Sequence, residues 1–140
     1  MSPELASGLA AYLDEGYVSA AAARITRVSP RQLQYWDERG IVPAHQAYHR
    51  RIYFDADLLR LIVVRELRRR GLSLQRIRKI MKQLDGGLIG RAEAGAFLVV
   101  GRAGAGFVLD KDQVIETLKE AHGPMWIISL GDCLKRVARK

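Results

Sequence analysis

The chain is poor in the residues that build covalent or metal-held sites. It has one cysteine, Cys133, and three histidines among 140 residues. A single thiol excludes an intrachain disulfide framework. His45 and His49 lie far along the chain from that cysteine, and no carboxylate cluster sits beside them, so no metal site is expected. No apolar run nears the ~20 residues needed to cross a bilayer. No apolar segment follows a basic start in the manner of a secretory leader. A cytoplasmic protein without membrane contact is the expectation. No Ser-His-Asp arrangement, paired carboxylates or multi-cysteine set stands out, so neither an enzyme nor a cofactor is expected. Residues 101–106 are rich in glycine but lack the Gly-x-x-x-x-Gly-Lys-Ser/Thr spacing of a phosphate loop. They read as a hairpin turn.

Cations of one sign are present in excess, and they are concentrated. The formal net charge is +8. Of 23 Lys and Arg, 15 lie between Arg24 and Lys82, against five carboxylates. That segment is +10 and the remainder −2. A polyanionic partner is implied, and its contact is confined to that part of the chain. The hydrophobic share of 49% is enough for a packed core.

Turn and cap residues divide the chain. Ser2-Pro3 opens a short helical pattern over residues 2–15, within an N-terminal extension of residues 1–16. Ser19 is placed to cap a helix over residues 20–26, rich in alanine. Arg27-Val28 is a turn. Ser29 with Pro30 opens a second helix that ends near Gly40. Pro43 and a loss of helical periodicity mark residues 41–54 as something else. Ile41-Val42 and residues 51–54 read as short paired strands, and residues 44–50 as a basic, aromatic loop between them. Asp55 and Ser73 are placed to cap two further helices, with stripes Leu58-Leu59-Leu61-Ile62-Val64-Leu67 and Leu74-Ile77-Ile80-Met81-Leu84. Residues 86–95 read as a glycine-containing linker. Beyond it, residues 96–100 and 107–109 suggest a hairpin. Residues 111–121 suggest a helix burying Val114, Ile115 and Leu118. Residues 125–130 suggest a strand, and Asp132 caps a last helix. The expected fold class is α+β: an N-terminal winged helix-turn-helix over residues 17–85, then a small ββαβα module over residues 96–140.

Two helices joined by a short turn, the second opening on Ser29-Pro30-Arg31-Gln32, form a helix-turn-helix candidate. An α-helix fits the major groove of duplex DNA and reads base edges with its N-terminal residues. Ser29, Arg31, Gln32 and Gln34 supply donors and acceptors there. His45, Tyr48, His49, Arg50, Arg51 and Tyr53 crowd the wing, where such groups donate hydrogen bonds to phosphate oxygens.

Residues 17–84 resemble the MerR-type winged helix-turn-helix family. The likeness runs through Tyr17-Val18-Ser19, Ala23, Val28-Ser29-Pro30-Arg31, Leu33, the stretch from Tyr35-Trp36-Asp37-Glu38 through Arg39-Gly40-Ile41-Val42-Pro43, Arg51-Ile52-Tyr53, Asp57-Leu58 and the stretch from Leu67 to Leu74. The resemblance implies a transcriptional regulator that binds double-stranded DNA as a homodimer on a pseudo-palindromic operator. It implies that the first unit's second helix enters the major groove, and that Tyr35, Arg51 and Tyr53 touch the backbone. Two positions depart from the pattern. Arg27 stands where the family usually has Gly. In a left-handed conformation it carries about 1 kcal/mol of strain, with a phosphate contact as the compensating gain. Gln34 replaces a usual Arg. The long pairing helix that normally follows is interrupted at residues 86–90, so dimerisation falls to the C-terminal module. An antitoxin-like or other protein-interaction module, with autoregulatory DNA binding and a partner protein on residues 96–140, is the alternative. Cys133 reads as a small packing residue.

Overall fold

The computed structural model describes residues 16–84, 86–102 and 104–138. The helical pattern expected over residues 2–15 lies outside them. Strand β1 (Tyr17–Val18) leads directly into helix α1 (Ser19–Thr26), and α2 (Pro30–Glu38) follows after a turn. Strands β2 (His45–Ala47) and β3 (Arg50–Tyr53) come next, then α3 (Asp55–Arg69), α4 (Leu74–Gln83) and α5 (Leu88–Glu93). The C-terminal part runs β4 (Phe97–Gly101), β5 (Gly104–Val108), α6 (Lys111–Glu120), β6 (Trp126–Ser129) and α7 (Leu130–Ala138). The fold is α+β, with two small antiparallel sheets ordered β1-β3-β2 and β5-β4-β6.

Helix α3 organises the core. Leu58, Leu59, Leu61, Ile62, Val63, Val64 and Leu67 are buried around most of its circumference. A helix apolar on nearly every side must be surrounded by other elements. One continuous cluster runs from Ala22, Leu33 and Trp36 through α3 to Leu98, Ile128, Leu130 and Val137. The two halves therefore share one core.

Several elements differ from the sequence reading. Ile41 and Val42 are buried but form no strand; their N–H groups donate to the Trp36 carbonyl at 2.9 and 3.2 Å. They close the end of α2 instead of pairing with the wing. The third strand of that sheet is Tyr17–Val18, in register with Ile52 and Tyr53. The expected linker, residues 86–95, contains α5, whose Leu88 and Ala92, four residues apart, are buried. The hairpin strands extend into the expected loop, with Gly101 opposite Gly104. Helix α6 buries none of its residues: Ile115 is 50% and Leu118 48% exposed. Ser19 and Asp55 are the first residues of their helices rather than their caps; the Asp57 carboxylate accepts the Phe54 N–H at 2.9 Å and caps α3. Helix α7 opens at Leu130, and Ser129 Oγ accepts the Asp132 N–H at 3.2 Å. Ser73 does cap α4, accepting the Arg76 N–H at 3.2 Å.

Candidate nucleic-acid interface

The turn between α1 and α2 is tight. Arg27 has φ 62° and ψ 22°, a left-handed conformation, and its N–H donates to the Ala23 carbonyl at 2.8 Å. Thr26 is buried beside it; its hydroxyl donates to the Ala22 carbonyl at 2.7 Å and accepts the Val28 N–H at 3.3 Å. These bonds hold the angle between the two helices. Ser29 then caps α2 reciprocally. Its Oγ accepts the Gln32 N–H at 3.1 Å, and Gln32 Oε1 accepts the Ser29 N–H at 3.2 Å. Both side chains thus order the helix start as well as sitting on its exposed end.

Leu33 and Trp36 face the core, so the helix period turns Arg31, Gln34, Tyr35 and Glu38 outward. Gln34 Nε2 donates to Glu38 Oε1 at 3.0 Å. Tyr35 is 42% exposed, and the Arg39 guanidinium lies over its ring, 4.9 Å from the centroid. Tyr35 and Arg39, with Ile41, Leu74, Gln75 and Arg78, line a cleft of about 300 Å³. Arg39 and Arg78 were not among the residues read from the sequence as site candidates.

The wing is the β2–β3 hairpin. Its two turn residues, Tyr48 and His49, both have positive φ, 51° and 62°. Two successive left-handed residues between antiparallel strands match the right-handed twist of a hairpin. Tyr48, His49 and Arg50 project as the exposed tip. Arg51 is held more tightly. Its Nε donates to Asp37 Oδ2 at 2.7 Å, and Asp37 Oδ1 accepts the Ala44 N–H at 2.8 Å. The hydrogen bond to Asp37 is the main reason the Arg51 guanidinium is pushed above its ordinary pKa. Arg51 therefore braces the wing against α2. His45 is part-engaged, with Nε2 3.3 Å from the buried Asp57 carboxylate and its ring edge-on to Phe54.

Tyr53 does not share this surface. It is fully buried, and its hydroxyl has no hydrogen-bond partner among the described residues. Burial first, and then Asp37 nearby, push its phenol up to about 12. The surface of β3 consists of Arg50 and Arg51, and the buried Tyr53 side chain does not reach the surface for the backbone contact expected of it. The structure thus brings Arg31, Gln32, Gln34 and Tyr35 together on α2 with Ser29 at its cap, and the wing is braced alongside through Asp37. No group of three or more His, Cys, Asp or Glu able to hold a metal occurs among the described residues. No described helix is long and apolar enough to cross a membrane.

Comparison with known families agrees with this geometry. The family described as MerR HTH family regulatory protein matches residues 17–84. Over these residues the chain is similar to the MerR helix-turn-helix family. The match covers just under half of the chain and stops short of α5 and everything after it. Among solved structures, a transcriptional regulator of the MerR family from Bacillus cereus is similar at 25% identity with a TM-score of 0.46. That similarity covers 51% of this chain and 55% of the other, so the chain spans about half the length of the structure it matches. No curated protein matches the chain.

Proposed function

We propose that the protein is a transcriptional regulator that binds double-stranded DNA sequence-specifically, as a homodimer on a pseudo-palindromic operator. The MerR-type helix-turn-helix supports it, and one observation carries it. The second helix turns Arg31, Gln34 and Tyr35 to solvent from a capped, exposed N-terminus, beside a wing whose tip is Tyr48, His49 and Arg50. In this reading Arg31, Gln32 and Gln34 meet base edges, and Arg27, Ser29, Tyr35, His45 and the wing meet phosphate. Arg51 acts by holding the wing. This reading puts the protein in the cytoplasm beside the nucleoid.

The ββαβα segment over residues 96–140 supplies the subunit contact. Its support is the face of α6, where Ile115 and Leu118, with Leu109 just before the helix, are about half exposed or more.

The test is selection of bound duplexes from random DNA, followed by titration of the selected sequence. An enriched inverted repeat is expected, with affinity falling steeply as salt rises because phosphate contacts release counterions. Arg31→Ala should weaken binding to that duplex about tenfold or more, with an unchanged circular dichroism spectrum. Unselective binding, or an Arg31→Ala protein that binds like the wild type, sinks the proposal.

A further inference from the structure

Beside the helix-turn-helix turn lies a cavity of about 480 Å³ lined by Arg24, Arg27, Arg65, Arg69 and Arg136, with Ile25 and Thr26. Its walls come from α1 and its turn, from α3, and from α7 at the far end of the chain. One carboxylate, Glu66, faces this group of cations. Glu66 is 9% exposed, and its oxygens are already engaged, Oε2 by Arg70 at 2.7 Å and Oε1 by Arg136 at 3.0 Å. Arg65 and Arg69 share Oε1 at 3.5 and 3.8 Å. Among the described residues, no carboxylate lies within ion-pair distance of Arg24 or Arg27. Positive charge around the cavity therefore exceeds negative charge by several units.

Like charges gathered in a partly desolvated concavity repel, and an anion relieves that repulsion. The crowding registers on Arg65. Burial, then Arg69, lower its guanidinium pKa, and Arg136 and Arg27 add to the effect against the pull of Glu66. Guanidinium groups match phosphate oxygens geometrically and bind them through charge-assisted hydrogen bonds. The cavity draws its cations from three elements, so they can surround a small anion from several sides.

We propose that this arginine-lined cavity binds a small, freely diffusing polyphosphate anion, whether inorganic pyrophosphate or the phosphate tail of a nucleotide. Arg27, Arg65 and Arg69 also line the adjoining hollow that reaches Gln32 and Trp36. An anion bound there touches the turn that sets α2, so its binding is coupled to operator affinity. That coupling rests on the DNA-binding reading; the anion site does not.

Isothermal titration calorimetry of the full chain with inorganic pyrophosphate, with adenosine triphosphate and with adenosine tests the site. Pyrophosphate and the triphosphate bind, and adenosine does not. Arg24→Ala/Arg69→Ala, a pair of exposed positions, weakens pyrophosphate about tenfold or more with circular dichroism and melting temperature unchanged. Lys79→Ala/Lys82→Ala removes two exposed cations elsewhere and keeps the affinity. Equal weakening in both double variants means diffuse attraction to a basic chain and overturns the proposal. Absence of pyrophosphate binding at millimolar concentration overturns it too. If only duplex affinity falls in Arg24→Ala/Arg69→Ala, the cavity serves DNA backbone phosphate and the proposal is again overturned. Pyrophosphate binding that survives failure of operator binding upholds the site and removes only the coupling.

Discussion

At the scale of single residues, Arg27 and Tyr53 show opposite limits of sequence reading. The strain at Arg27 was legible, because a turn that usually takes Gly takes a bulky residue here, and its φ of 62° bears that out. Tyr53 misled because an aromatic with a polar tip suits both a core and a phosphate contact, and only the register of β3 separates the two. Tyr17 opposite Tyr53 and the packing of α3 seal it inside. The burial has a pH signature. An ordinary tyrosine ionises near 10, whereas Tyr53 is held neutral up to about 12. The folded state thus keeps a proton that the unfolded chain releases. The contribution to stability is complete below pH 10 and is lost as pH rises from 10 to 12, by an amount on the order of 2 kcal/mol. In urea unfolding at pH 7 and again near pH 11, Tyr53→Phe should lose less stability between the two than the wild type. At pH 7 it should match or exceed the wild type, since an unpaired buried hydroxyl is removed. A parallel loss in both proteins would show that Tyr53 is not the group held neutral.

At the scale of elements, the helices with one dense apolar stripe were legible and the short segments were not. Leu58 to Leu67 and Leu74 to Leu84 follow a helical period strongly enough to locate α3 and α4. Ile41-Val42 have strand propensity, but the end of α2 captures their N–H groups, so tertiary context overrides preference. Gly86, Gly87 and Gly90 suggested a loose joint. Leu88 and Ala92, at helical spacing among them, find a groove and make α5. The outward-facing residues of α2 were legible because cap, turn and helix period all lie within a dozen positions. The bracing of Arg51 by Asp37 was not, because it joins residues 14 apart whose meeting depends on the wing's path. Helix α6 is the sharpest contrast. Its stripe of Val114, Ile115 and Leu118 was read as buried within the subunit, yet Ile115 and Leu118 stand half exposed. An apolar helix face in water is a cost, and in the proposed homodimer a second subunit would remove it. Ile115→Glu/Leu118→Glu should therefore convert a dimer to a monomer in light scattering, with the helical signal kept and operator affinity reduced. A wild-type monomer would overturn the proposed homodimer, and a variant that stays dimeric would move the subunit contact away from α6.

At the scale of the whole molecule, the chain reads as two parts but packs as one. The charge asymmetry and the glycines at residues 86–90 suggest a basic DNA-binding half and a separate module. The core crosses that line through α3, which packs against α1 and α4 of the N-terminal half and against α5, α7 and β6 beyond it. Polar ties cross it as well. Arg136 on α7 donates to Glu66 on α3 at 3.0 Å, and Arg76 on α4 donates to the Gly101 carbonyl while lying over Trp126 at 5.3 Å. Burial pushes the Glu66 carboxyl up, but hydrogen bonds from Arg70 and Arg136 outweigh it and hold its pKa below the ordinary value. Shared burial of this kind makes unfolding of one half expose the other's apolar surface, so the two should melt together. The chain carries one reporter in each half, with Trp36 on α2 and Trp126 on β6. Trp36→Phe leaves Trp126 fluorescence to follow the C-terminal half, and Trp126→Phe leaves Trp36 to follow the N-terminal half. Within each variant, the fluorescence midpoint in urea should coincide with the midpoint of helix loss by circular dichroism. A fluorescence midpoint of Trp126 clearly below that of helix loss would mean that the C-terminal half opens first. The anion cavity, which takes Arg136 from α7, would then dissolve before the helix-turn-helix does.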